Sequence, residues 1–198
     1  MMSGIRRFAL VAVACLSLAA CGVNEIPKLD EETSAAWSQV ENQYQRRADL
    51  IPNLVETVKG YAAQERETLT DIVEARSKVA QMKLPPDILT NRGALDQFEQ
   101  NQGALSSALS RLLVVVERYP DLKSNQNFLS LQSQLEGTEN RIAVARRDYI
   151  EAVRKYNTEL RTIPGRWWAA IVYPDAKVKE NLRAPEGSAQ PPRVTFGK

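Results

Sequence analysis

Apolar side chains recur along this chain at alternating three- and four-residue intervals, the spacing that stacks them on one face of an α-helix. From Trp37 the series reads Val40, Tyr44, Ile51, Leu54, Val58, Tyr61, Ile72, Ala75, Val79 and Met82. Arg47, Glu65 and Thr68 hold the same register and are its polar members. The spacing predicts a helix from an N-cap at Thr33 or Ser34 to Met82. Pro52 has no amide proton and its ring crowds the carbonyl of Ala48, so a kink or break is expected near Leu50. Asn53 and Gly60 weaken the same region. The register persists across Pro52, which favours a kink over a loop.

Leu84-Pro85-Pro86-Asp87 and Asn91–Gly93 interrupt the pattern. A second helix is predicted from Ala94 to Arg118, with Leu95, Phe98, Gln102, Leu105, Leu109, Leu112, Val116 and Tyr119 as its seam and Pro120 as its stop. A third is predicted from Asn125 to Arg161, with Phe128, Leu131, Leu135, Thr138, Ile142, Ala145, Tyr149, Ala152 and Tyr156 facing inward. Pro164-Gly165 ends it, and the aromatic segment Arg166–Tyr173 reads as a short fourth helix. Short turns between long helices imply antiparallel neighbours. The expected fold is all-α: an up-down-up bundle of three long helices closed by a short fourth.

The first twenty residues follow a different rule. Arg6 and Arg7 precede the apolar run Phe8–Leu18, and small residues Ala19 and Ala20 follow, the layout of a secretory signal. Leu18-Ala19-Ala20-Cys21 is similar to the bacterial lipobox, in which the cysteine is diacylated and becomes the mature N-terminus. Cys15 fits less well, with Ala12 where Leu is preferred. The rival is an uncleaved transmembrane anchor, but Phe8–Val23 has 16 residues where a span needs roughly 20. Each buried methylene contributes about 0.8 kcal/mol, so two or more chains on Cys21 would hold the protein stably at a bilayer. Gly22, rather than Asp, follows Cys21, which implies the periplasmic face of the outer membrane by resemblance to Gram-negative lipoproteins. The chain thus divides into a signal peptide over 1–20, a tether over 21–32, a helical bundle over 33–183 and an irregular tail over 184–198.

Composition narrows the chemistry. There is no histidine, and both cysteines lie in the leader, so the commonest general base, metal ligand and thiol nucleophile are missing from the body. Against 26 basic residues stand 24 acidic ones, and Arg6 and Arg7 supply the excess, so the body carries no nucleic-acid footprint. A basic bias at Arg141, Arg146, Arg147, Arg154, Lys155 and Arg161 reads as a solvated helix face, with an anionic-surface site as its rival. No phosphate-cradling loop, metal-spaced cluster, cofactor motif or small-molecule site is evident.

Glu65 and Arg47 project from the seam, where a lone charge is costly unless paired. They stand 18 residues apart on one predicted helix and cannot meet. Counting along an antiparallel partner sets Glu65 level with Arg111, and that pair is expected to fix helix register. Trp167 and Trp168 either cap the end of the core or contact a membrane interface or a partner.

Several ordered blocks together resemble the LemA family. They are Trp37, Arg46-Arg47-x-Asp49-Leu-Ile-Pro-Asn-Leu54 and Lys59-Gly-Tyr-Ala-Ala-x-Glu65; then Glu117-x-Tyr119-Pro-x-Leu122-Lys123 and Asn127-Phe128-x-x-Leu131-Gln132. Glu136-x-Thr-Glu-Asn-Arg-Ile142-Ala-x-Ala-Arg-Arg147, Tyr156-Asn157, Pro164-Gly165 and Pro192-x-Val194-x-Phe196 complete the series. Ile150 and Ile163 replace the expected Asn and Phe without threatening the fold. The resemblance implies a LemA-like four-helix bundle held at a membrane by its N-terminus, with no settled activity and no catalytic residue to carry over. Many members use a transmembrane helix there, so a lipid on Cys21 is a departure. The expected function is a lipid-anchored, non-enzymatic scaffold or adaptor of the bacterial envelope that binds an as yet unidentified protein partner. Two alternatives stand beside it. One is a cell-wall enzyme using carboxylates such as Glu65 or Glu136, which needs two carboxyls roughly 5–10 Å apart. The other is a membrane-sensing or membrane-shaping helical protein.

Overall fold

The computed structural model describes residues 22–183; the leader, Cys21 and the tail from 184 onward lie outside the described residues. Its helices are α1 (Glu25–Lys59), α2 (Arg66–Gln81), α3 (Arg92–Val116), α4 (Pro120–Lys123), α5 (Gln126–Arg161) and α6 (Gly165–Ile171), with a 3₁₀ turn at Ile88–Thr90. The described residues contain no strand, so the chain is all-α.

The predicted first helix is two helices folded back on each other. Pro52 does not interrupt α1, which runs through it to Lys59. The break falls at Gly60–Glu65, where the Val58 carbonyl accepts from both the Tyr61 and Ala62 amides and α2 begins at Arg66. Tyr61, expected in the seam, is exposed, while Ala62 is fully buried and Leu69 takes the inward place expected of Thr68. α1 also begins at Glu25, ahead of Thr33, so residues 25–32 are helix rather than tether. Ile26 and Leu29 draw that first turn inward against Tyr156. Pro27 costs nothing there, since the first four amides of a helix have no partner in it anyway.

Side-chain pairs give the directions. Trp37 packs on Tyr149 at 5.3 Å between ring centroids, and Arg47 meets Glu139, so α1 and α5 run antiparallel as the long central pair. Phe98 lies 5.1 Å from Trp37 and Gln102 reaches Arg47, so α3 runs parallel to α1. Asp71 meets Arg111 and Glu65 meets Arg118, so α2 and α3 are antiparallel. The result is an up-down-up-down bundle of α1, α2, α3 and α5. With 36 residues, α5 extends about 54 Å.

The core comes in three segments along this axis. At the far end Leu54, Val58, Ile72, Leu105, Leu112 and Phe128 pack together; in the middle, Trp37, Tyr44, Leu95, Phe98, Ile142 and Tyr149; at the near end, Ile26, Leu29 and Tyr156. Each fully buried Leu, Ile or Phe contributes about 1.5–3 kcal/mol. Asn91 and Asn125 start α3 and α5, their side-chain oxygens accepting from Ala94 and from Asn127 and Phe128. Within α5 Val153 is fully buried, inward of the expected Ala152.

After α6 the chain runs back along the bundle as an extended strap. Asn157 both donates to the Lys179 carbonyl and accepts from its amide, each at 2.8 Å. The Glu180 amide donates to the Leu89 carbonyl, the Tyr149 hydroxyl donates to the Glu180 carbonyl, and Leu182 is buried in the central core.

Candidate functional site

Four places gather the polar and exposed groups on which a function could rest. The first is Arg47, 1% exposed on α1. It donates to Gln102 Oε1 at 2.6 Å, to the Gln102 carbonyl at 3.1 Å, to Ser106 Oγ at 2.6 Å and to Glu139 Oε1 at 3.0 Å. Its guanidinium also lies 5.0 Å from the Tyr44 ring centroid, within cation–π range. A buried charge requires partners from several helices at once, and here α1, α3 and α5 supply them. Nε has no partner among the described residues. The planar fork matches this fixed set of acceptors, as a lysine ammonium could not. Arg47 therefore works as an internal lock between helices.

The second place is the hinge. Glu65 Oε1 accepts from Arg118 at 3.0 Å and from the Tyr119 hydroxyl at 2.8 Å, while Arg111 pairs with Asp71 at 2.9 Å. The expected Glu65–Arg111 pair is thus replaced by two neighbouring pairs. The fold-back at Gly60 sets Glu65 just ahead of α2, level with Arg118 and Tyr119, about two helical turns past Arg111. The bond to Glu65, with burial, pushes the Tyr119 hydroxyl above its ordinary pKa, so it stays a protonated donor. Glu136 sits exposed on α5 and accepts from Gln132. Among the described residues no three His, Cys, Asp or Glu side chains are grouped to hold a metal ion.

The third is the clasp over the strap. Glu99 accepts from Arg92 and Arg146 and from the Arg183 amide; Arg146 also donates to the Arg183 carbonyl, and Arg92 to the Asn181 carbonyl. Arg146 donates to the Tyr44 hydroxyl as well. Burial works against its charge, but Tyr44 and Glu99 more than offset this and raise its pKa. Arg146 is therefore no part of a solvated basic face, whereas Arg147 and Arg154 are exposed and pair with Asp148 and Glu151 on their own helix. Asp96, with its Arg92 hydrogen bond, is held below the ordinary carboxylate range. Burial pushes the Tyr149 hydroxyl well above its ordinary value, so it too remains a donor. Spacing along the sequence gives no signal for this clasp, because Glu99, Arg92 and Arg146 meet across two helices and their remaining partners are backbone atoms of an aperiodic segment.

The fourth is the near end. The two tryptophans part company: Trp168 packs against Ile26, Leu29 and Tyr156, its indole nitrogen buried without a partner among the described residues, while Trp167 is 57% exposed. Ile163 and Ile171 are exposed at four-residue steps on either side of Trp167. Gly165 lets the chain turn here, since a Cβ on it would fall 2.2 Å from the Glu159 carbonyl oxygen. Gly22 arrives at the same place, where a Cβ on it would lie 3.9 Å from Pro164 Cγ. A shallow open groove of about 520 Å³ lies beside α6, lined among others by Leu160, Arg161, Ala169, Lys177 and Val178. No described helix is long and apolar enough to cross a membrane.

Fold and polar interior together define an elongated helical bundle whose buried Arg47 is held by acceptors on neighbouring helices. The chain belongs to the LemA family, whose model matches residues 36–196. It is 28% identical over 178 residues to magnetosome protein MamQ 2 of Paramagnetospirillum magneticum, covering 82% of this chain and 65% of that protein. It is 26% identical over 184 residues to magnetosome protein MamQ of Magnetospirillum gryphiswaldense, covering 82% of this chain and 68% of the relative. With protein LemA of Metamycoplasma hominis it shares 25% identity over 139 residues, 70% of this chain and 59% of the relative. The chain thus spans about two thirds of the length of the curated relatives it matches.

Proposed function

We propose that this protein is a lipid-anchored, non-enzymatic helical scaffold of the bacterial envelope that holds a protein partner away from the membrane. The carrying observation is polarity along the bundle axis. Gly22, next to the candidate lipid site Cys21, lies at the near end beside Pro164, while the hinge and the α3–α5 connection lie at the far end. There Val114 is 72% exposed, with Leu113, Tyr61 and Leu129 exposed nearby in the sequence of elements. A body about 54 Å long would present those side chains well beyond the headgroups. The charged candidates Arg47 and Glu65 are engaged in bonds between helices, which supports a structural rather than a catalytic use. Gly22 after Cys21 favours the outer membrane, facing the periplasm.

A photo-crosslinking residue at Val114 in cells tests the partner, with Arg147 as a control on the exposed face of α5. One defined protein captured from position 114 and not from 147 is the expected result; no capture from any far-end position sinks the scaffold reading. Mass spectrometry of the mature N-terminus tests the anchor, and an intact Met1 or an unmodified Cys21 would overturn it.

A further inference from the structure

The near end carries more than an attachment point. Trp167 and Ile171 stand one four-residue step apart on one face of α6, and Ile163 lies in the turn just before that helix. All three are exposed, Ile171 at 76%, while Trp168 and Ala169 fill the core behind them. Arg161 and Arg166 flank this ridge, both exposed and neither in an ion pair among the described residues. An apolar ridge with an aromatic at its centre and cations at its border is the composition favoured where a protein meets anionic lipid.

What covers the ridge follows from where the chain leads. Gly22 lies beside Pro164, between Ile163 and α6, so a lipid on Cys21, one covalent residue away, would be attached next to this surface. The strap runs away from α6 to Arg183, which Glu99 and Arg146 clasp in the middle of the bundle. We infer that the Ile163–Trp167–Ile171 ridge docks the bundle against an anionic bilayer surface, so that the anchor end is seated on the membrane and not merely tethered to it. This deepens the anchored reading above, but docking and anchoring fail separately.

The test uses the full chain with vesicles of phosphatidylglycerol and brominated phosphatidylcholine. Flotation reports attachment, and bromine quenching of tryptophan emission reports docking. Trp37 and Trp168 are packed inside, so the quenched fraction belongs to Trp167. Quenching is expected in the native chain, largely lost in Trp167→Phe, and sharply reduced by Arg161→Glu with Arg166→Glu or by high salt. Val114→Ser should leave it unchanged. Circular dichroism of each variant separates lost docking from lost folding, and Ile171→Ser provides a second variant that leaves every tryptophan in place. Flotation without quenching overturns the docking and leaves the anchor standing. Quenching at saturating vesicles without stable flotation supports the docking and counts against the anchor. Trp167 emission that ignores vesicles but shifts blue with protein concentration assigns the ridge to a second copy, and equally overturns the inference.

Discussion

Arg76 of α2 donates its Nε–H to the carbonyl oxygen of Ala48 on α1 at 3.0 Å, filling the place of the amide that Pro52 lacks. In an unbroken helix the residue-52 amide would bond to Ala48. Proline removes that donor and exposes the carbonyl, and the half-buried Arg76 guanidinium takes it up. One contact therefore accounts both for a proline inside a 35-residue helix and for the closeness of α2 to α1.

Arg76→Met is expected to destabilise the protein by about 1 kcal/mol, the usual net worth of a hydrogen bond, or more to a charged donor. In a Pro52→Ala background the new amide satisfies Ala48, so the penalty of Arg76→Met should shrink. A double-mutant cycle in urea checks this, and additive effects would show that Arg76 does not compensate for the proline.

Arg47→Met should cost about 3–5 kcal/mol, because it leaves Gln102 and Ser106 facing a hole in the interior. Glu139→Gln should cost less than about 1 kcal/mol, since Glu139 is 46% exposed and its charge is already screened by water. Equal losses in the two variants would mean that the ion pair, not the neutral acceptors, secures Arg47.

Asn157→Ala removes both bonds to Lys179 and should loosen the strap without unfolding the bundle. Amide exchange at Lys179 and Glu180 is expected to accelerate by about tenfold or more, with the amides of α1 unchanged. Trypsin cleavage after Lys177 should rise in parallel.

Acid stability carries two opposed contributions. The Arg92 bond lowers the pKa of Asp96 in the folded state, so that contribution is complete above the ordinary aspartate range and is lost as pH falls through the lowered value. Arg92→Gln should therefore flatten the loss of stability seen between about pH 5 and about pH 2. Glu41 has the opposite sign: burial raises its pKa, against a smaller lowering by its bond from Trp37. Its contribution is present below pH 4.5 and is lost as pH rises through the folded value. Glu41→Gln should thus raise the urea midpoint at neutral pH, and a lower midpoint would refute the assignment.

Helix-forming segments and their inward faces were legible in the residues themselves. From Leu95 to Val116 and from Phe128 to Tyr149 most of the seam is buried, because a 3.6-residue period is a local property of the chain. The terminating Pro164-Gly165 is local in the same sense, whereas the capping roles of Asn91 and Asn125 emerged only with the structure. Only the tertiary structure decided that the first seam turns back on itself. A continuous helix and a hairpin share the same spacing on either side of Gly60; what separates them is burial of Ile72 and Ala75 against Leu54 and Val58, a long-range contact. That reversal also moved Glu65 from Arg111 to Arg118 and Tyr119. Tertiary packing likewise sent Trp168 inward and Trp167 outward, and it set the strap's backbone against Asn157, Tyr149 and Arg146. Periodicity records which side of a helix is apolar; which helix lies opposite depends on where the chain can reverse and still bury that side.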